Sequence, residues 1–200
     1  MILFKALRKL VNAVKHPIYK PVANLILFLN GVNIGKGFCV QGFMKVIVTR
    51  RGKVIIGNNF KVNSGKNHNV IGRQQNTILW VEGELTIGDH VRMSSTAIIC
   101  NHSITIGNDV TIGGNTVIYD TDFHSLDPLI RKSNQDRNFA NKKPVVIGDN
   151  VFIGAHTTIL KGVTIGNNSI IGACSVITKN IPANEIWAGN PARLIKNIIL

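Results

Sequence analysis

The sequence predicts an all-β fold, a parallel β-helix built from six-residue units, and three observations carry that prediction. The first is a strict repeat: isoleucine returns at Ile147, Ile153, Ile159, Ile165, Ile171 and Ile177, followed at once by glycine at Gly148, Gly154, Gly166 and Gly172. The second is a column of small or β-branched residues four positions after each isoleucine: Val151, Thr157, Val163, Ser169, Ser175 and Ile181. The third is an upstream array of the same period, Ile87, Met93 and Ile99, then after one extra residue Ile106, Ile112 and Ile118. Its second column reads Val91, Ala97, Ser103, Val110, Thr116 and Asp122. Fixed periods of this kind mark solenoids and take precedence over any single helix or strand assignment.

Each unit pairs a short β-branched strand with a turn whose glycine tolerates backbone angles closed to other residues. Three units close a triangular coil, and coils stack at the interstrand spacing of about 4.8 Å. The isoleucines then form internal ladders, each side chain contributing about 1.5–3 kcal/mol when buried. Ile34-Gly35 and Ile56-Gly57 indicate that less regular coils begin earlier. A chain of 200 residues with 44% hydrophobic content supports one sizeable core rather than two large domains. The expected division is an N-terminal helical extension over 1–30, the solenoid over 31–186 with a protruding loop at 124–146, and a tail over 187–200.

The net charge of +13 is unevenly placed: 13 of the 23 Lys and Arg precede residue 82, whereas the first of the 10 acidic residues is Glu82. No helix-turn-helix or aromatic RNA-reading motif accompanies this charge, so nucleic acid is not the expected partner. Cys39, Cys100 and Cys174 are odd in number and widely separated, without zinc or redox spacing. They suit a reducing compartment, most simply as buried small hydrophobes. Met1 to His16 has cations scattered through its apolar stretch and does not read as a signal peptide. Val22 to Leu29 is too short to span a bilayer, which takes about 20 apolar residues. A cytoplasmic location is expected. Between Ile2 and Lys15, Leu3, Leu7, Leu10 and Val14 fall on one helical face and Lys5, Arg8, Lys9, Asn12 and Lys15 on the other, with Pro17 as a stop. The extension through residue 30 either docks on the inner face of the cytoplasmic membrane or caps the end of the β-helix.

Two segments outside the regular repeat carry further information. One is the interruption His124 to Val146, opened by YDTDFHSLDP from Tyr119 to Pro128 and basic through Arg131, Lys132, Arg137, Lys142 and Lys143. Long excursions from a regular scaffold are commonly functional. The other is the tail VITKNIPANEIWAGNPARLIK, Val176 to Lys196. Over residues 69 to 196 the repeat, the loop and the tail together resemble the hexapeptide-repeat acyltransferases, and the run through SSTAIICNHSITIG and DTDFHS is most similar to the bacterial O-acetyltransferases of surface glycans. A six-residue repeat alone is shared with gamma carbonic anhydrases and non-catalytic solenoids, so it bears on fold more than on function.

The resemblance implies a left-handed parallel β-helix that works as a homotrimer with sites between subunits, and acetyl transfer from acetyl-coenzyme A to a carbohydrate hydroxyl. His124 matches the family's loop histidine. An imidazole can take the proton of a sugar hydroxyl, a poor nucleophile at neutral pH, as it attacks the thioester; otherwise His124 is a solvated loop residue. Asp120 and Asp122 flank it as candidates to orient the ring, or cap the turn where the solenoid ends. Ser95, with its neighbour Ser94, and the loop's Arg131 are the acceptor-binding candidates, Ser95 being equally readable as an ordinary polar turn. Ala155 and Ala173 would let the pantetheine arm lie against the backbone, and Thr178, Lys179, Arg193 and Lys196 would meet the nucleotide phosphates. Asn190 and Pro191 fit the cap and first position of a short C-terminal helix that Leu194, Ile195, Ile198 and Ile199 would pack down. No metal is expected, because His16, His68, His90, His102 and His156 lack ligand spacing. The acceptor implied is a sugar of a surface polysaccharide or its lipid-linked precursor, with a small sugar or an antibiotic as the alternative. A non-catalytic scaffold in glycan assembly is the alternative of another class.

Overall fold

The computed structural model describes residues 17–69, 71 and 75–199. Three sheets run the length of a left-handed parallel β-helix. Sheet I holds six strands from Asn33–Ile34 to Thr164–Ile165, and sheet III six from Lys45–Val48 to Val176–Ile177. Sheet II begins at Cys39–Gln41 and has eight. Up to Val176–Ile177 the chain visits the sheets in turn, so each strand pairs in parallel with the strand three earlier in the chain. The β-branched alternation of the sequence explains the burial: Ile147, Ile153, Ile159, Ile165, Ile171 and Ile177 are all buried, as is their companion column from Val151 to Ile181. Ile56 is buried and Ile34 packs against the core, so the irregular upstream coils belong to the same solenoid.

The corner between sheets I and II shows how the stack is locked. At each coil an Asn or Asp side chain accepts a backbone N–H from the coil below: Asn58 from Lys36, Asp89 from Asn58, Asn108 from Asp89, Asp149 from Asn108 and Asn167 from Asp149. The next residue, among them Asn59, Asp109, Asn150 and Asn168, takes φ between 57° and 61°. Asn and Asp tolerate this left-handed conformation better than other non-glycine residues, which is why the corner is written in them. The Asn58 backbone N–H in turn holds the Asp89 carboxyl below the usual carboxylate range.

Five expectations are corrected. Ile99 does not enter the internal ladder. The turn around Ser95 is one residue shorter than its counterpart around Asn115, so Ala97 and Ile98 pair with Val117 and Ile118; Ile98 points inward and Ile99 is only half-buried. In the same coil Ile104, not Ser103, is the buried residue. Of the cysteines only Cys100 is buried, while Cys39 and Cys174 are exposed. Desolvation, reinforced by the Asp120 charge, pushes the Cys100 thiol up to about 12.

The C-terminal helix is replaced by a hairpin. Glu185–Gly189 continues sheet II, pairing Ile186 and Trp187 with Ile170 and Ile171, and crosses the domain boundary expected at residue 186. After Gly189 and a cis Asn190-Pro191 peptide, Ala192–Asn197 returns antiparallel. Leu194 and Ile195 are 47% and 61% exposed rather than packed against the solenoid. The last coil of a β-helix presents unpaired backbone donors and acceptors, and a further strand satisfies them where a helix cannot. The expected amphipathic helix over Ile2–Lys15 lies outside the described residues, and residues 17–29 form a helix in which Pro17 is itself helical.

Candidate active site

The loop leaves the solenoid after the Val117–Tyr119 strand and returns at Val145–Ile147. Its neck is closed by an antiparallel bridge between Thr121 and Lys142, with Asp122 N–H donating to Asn141 O at 3.0 Å and Lys143 N–H to Asp120 O at 2.9 Å. Beyond the neck, Asp127 caps a short helix, Pro128–Arg131, by accepting from Leu129 N at 2.7 Å, with Pro128 in the first turn where its missing N–H costs nothing. A 3₁₀ turn, Asp136–Phe139, brings the chain back.

This path carries Asp136 to His124. Its Oδ2 lies 2.5 Å from His124 Nδ1, while its Oδ1 accepts the Ser125 backbone N–H at 2.7 Å. The imidazole and then the Ser125 N–H hold the Asp136 carboxyl below the usual carboxylate range, so it is ionised at neutral pH. An ionised carboxylate only accepts, so Nδ1 carries the proton and Nε2 is left as the acceptor. Phe123, immediately before the histidine, has φ +63°, a conformation costing about 1–2 kcal/mol for a side-chain-bearing residue. It is held there by its N–H on Thr121 Oγ1 at 3.1 Å and by the edge of its ring against Tyr119, 5.1 Å between centroids.

His124 lines a cleft of about 440 Å³ between the loop and the outer face of sheet III. Trp80 and Ile99 form its apolar side, and Glu82, Asn101, Arg137, Asn138 and Lys142 contribute polar groups. Glu82 is preset by bonds from Asn101 Nδ2 at 3.0 Å and Trp80 Nε1 at 3.4 Å. The register shift that excluded Ile99 from the core is what places it here. A second hollow, of about 380 Å³, between residues 18–19 and 64–68 contains none of these groups.

The other candidates separate. Asp120 is buried and spends both carboxylate oxygens on the Asn101 and His102 backbone N–H groups, each at 2.7 Å, so it caps the corner and does not touch His124. Asp122 pairs with Lys161 of the next coil at 2.6 Å and with Asn141 at 3.4 Å, again away from the imidazole. Ser95 is buried at the far edge of sheet III, its hydroxyl taking the Gly65 N–H at 3.2 Å, and it is not part of the cleft. Arg131 donates to the Ser125 and Leu126 carbonyls and shapes the loop; the arginine that lines the cleft is Arg137.

Ala155 and Ala173 stand one above the other at the corner between sheets II and III, where the coils approach so closely that a Cβ on Gly154 would meet Ala173 N at 2.4 Å. Thr178 and Lys179 are exposed at the opposite edge of sheet III, and Arg193 and Lys196 are exposed on the returning hairpin strand. These six residues thus occupy three places, none of them in the His124 cleft. Among the described residues no group of three or more His, Cys, Asp or Glu could hold a metal ion.

Comparison with known proteins agrees with this architecture. The family model "Bacterial transferase hexapeptide (six repeats)" matches residues 144–179, and "Hexapeptide repeat of succinyl-transferase" matches residues 84–120. The putative lipopolysaccharide biosynthesis O-acetyl transferase WbbJ of Escherichia coli is 32% identical over 149 residues, 72% of each chain. The chain belongs to the hexapeptide-repeat acyltransferases. Within that family, the galactoside O-acetyltransferase of Escherichia coli is 43% identical over 101 residues, 50% of this chain and 47% of that relative, so the match spans about half its length. Among solved structures, a variant of the N-acyltransferase AntD from Bacillus cereus, in complex with dTDP and Coenzyme A, superposes with a TM-score of 0.69 at 25% identity, covering 88% of this chain and 89% of that one.

Two groups were hidden from the sequence. Asp136 lies 12 residues from His124 with no spacing rule to connect them, and Trp80 lies ahead of the first regular array, which begins at Ile87. The strand Ile78–Val81 turns every second residue outward, Trp80 among them, but its four residues are all apolar, so no alternation of residue type marked the outward ones.

Proposed function

We propose that this protein transfers the acetyl group of acetyl-coenzyme A to a hydroxyl of a sugar, with His124 as general base and Asp136 as the residue that positions it. The observation that supports this most directly is the His124–Asp136 pair on the rim of the cleft, which leaves Nε2 free to accept a proton. In the reaction the acceptor O–H proton passes to Nε2 as the oxygen attacks the thioester carbonyl. The carbon–sulfur bond then breaks, and the imidazolium returns the proton to the departing thiolate. Trp80 and Ile99 offer an apolar wall for a sugar ring, and the preset Glu82 and Asn101, with Arg137 and Asn138, offer hydrogen-bonding partners for its hydroxyls.

The donor is assigned to Ala155 and Ala173 for the pantetheine arm and to Thr178, Lys179, Arg193 and Lys196 for the phosphates. Their dispersal within one subunit favours a homotrimer in which a neighbour's loop and this subunit's coils complete one site. The name of the WbbJ relative supports a sugar of a surface polysaccharide or its precursor as acceptor, whereas the galactoside O-acetyltransferases support the alternative of a small sugar. Acetyl transfer to sugar acceptors by the purified protein tests the reading. His124→Ala should lower kcat by about 10²- to 10⁴-fold, the range for loss of a general base, with KM for acetyl-coenzyme A nearly unchanged. Undiminished turnover would remove His124 from the mechanism.

A further inference from the structure

We propose that the outer face of the N-terminal helix, with the cations around the first coil, is a docking surface for an anionic lipid bilayer. The helical residues 17–29 bury Tyr19, Ala23 and Leu27 against the solenoid. At one end Tyr19 meets the Phe43 ring edge-on at 5.0 Å, at the corner that precedes the Lys45–Val48 strand. At the other end Asn30 Oδ1 accepts the Val48 N–H at 2.9 Å. The helix therefore lies along that strand, across the open end of the first coil. Capping the coil needs one apolar face, yet this helix has a second: Leu25, Phe28 and Leu29 are 56%, 77% and 72% exposed, and Ile18 and Phe43 extend the strip.

Four cations lie around that strip. Lys20 is on the helix, Lys45 on the strand beneath it, and Arg50 and Arg51 follow that strand after Thr49; all four are exposed. No ion pair engages any of them among the described residues, and the sequence has no acidic residue before Glu82. Exposed apolar side chains ringed by Lys and Arg match the boundary of an anionic leaflet, where the apolar groups enter the acyl region and the cations meet phosphate. An acidic protein would answer the cations and leave Leu25, Phe28 and Leu29 without a reason. A second copy packed on the same face would oppose positive charge with positive charge. Among the described residues no helix is long and apolar enough to cross a membrane. This inference stands independently of the acetyl-transfer reading.

The test is sedimentation of the full-length protein with vesicles of phosphatidylglycerol mixed with phosphatidylcholine, and with vesicles of phosphatidylcholine alone, at low and high salt. Binding selective for the anionic vesicles and weakened by salt is expected. A triple variant, Leu25→Ser with Phe28→Ser and Leu29→Ser, should lower that binding by about tenfold or more. Arg50→Glu with Arg51→Glu should lower it comparably and flatten its salt dependence. All five side chains are exposed, and an unchanged circular dichroism spectrum confirms that each variant is folded. Absence of selective binding, or binding unchanged in both variants, overturns the proposal. So does a serine variant that keeps its lipid affinity but loses mass in light scattering, which would make the face a contact between copies.

Discussion

In the coils from Ile147 to Ile177 every six residues restore the same inward side chain and the same kind of corner, so each strand finds matching partners above and below. In the loop between Asp120 and Lys143 no residue type recurs at a fixed interval, and order comes from a few polar bonds: the Thr121–Lys142 bridge, the Asp127 cap and the two bonds accepted by Asp136. The coils spread their stability over nearest-neighbour contacts. The loop concentrates its order in single residues, and its large apolar side chains Leu126, Leu129 and Phe139 are exposed rather than packed. A scaffold of the first kind can carry an irregular segment of the second kind without losing its register, as the continuous sheet I pairing of Ser103–Ile106 with Val145–Ile147 across the loop shows.

The contrast is most directly broken in the coils. Ile153→Ala removes a fully buried ladder residue and should destabilise the protein by about 2–5 kcal/mol in urea unfolding, transfer and cavity costs combined. A cost below about 1 kcal/mol would mean that the column is not tightly packed.

Asp136→Asn should act on the other side of the comparison, leaving unfolding unchanged while lowering kcat by about 10- to 100-fold through loss of the fixed tautomer. Equal losses in stability and turnover would show the carboxylate to be a general structural prop. The same group has a pH signature. Its folded-state pKa is depressed, so its contribution to loop order is fully present above the ordinary aspartate value of about 4 and is lost as pH falls through the lower folded value. Hydrogen exchange over residues 121–143 should thus be level from neutral pH to about pH 4 after correction for intrinsic rates, then rise; a rise already near neutrality would contradict it.

The smallest effect sharpens the picture of the coils. Cys39 and Cys174 should alkylate readily at mildly basic pH and Cys100 should not, since it is buried and its thiol is pushed up to about 12. Mass spectrometry of the iodoacetamide-treated native protein reads this, and modification of Cys100 at a rate similar to the others would refute the burial.

Repetition made the solenoid legible in the sequence. A six-residue period leaves one way for isoleucine to be internal at every unit, and the inward columns follow from it without any knowledge of the fold around them. The interruption of that period was equally visible, and with it His124. What the period could not resolve was a compensated shift. A turn shortened by one residue at Ser95 exchanges Ile98 for Ile99, and both look alike to a hydrophobic pattern although one faces the core and the other the cleft. The Asn190-Pro191 pair was ambiguous for a similar reason, because the residues that cap helices also make turns; the unpaired edge of sheet II decided in favour of a strand.

The sequence by itself determined the β-helix, its inward ladders and the segment that bears the imidazole, because those depend on interactions between residues a fixed number of positions apart. Only the tertiary structure decided that Asp136 rather than Asp120 or Asp122 meets His124, that Trp80 and Glu82 stand across from the loop, and that the donor candidates are dispersed over three places. Those partnerships join segments whose separation follows no period, and they exist only once the loop has folded back over sheet III.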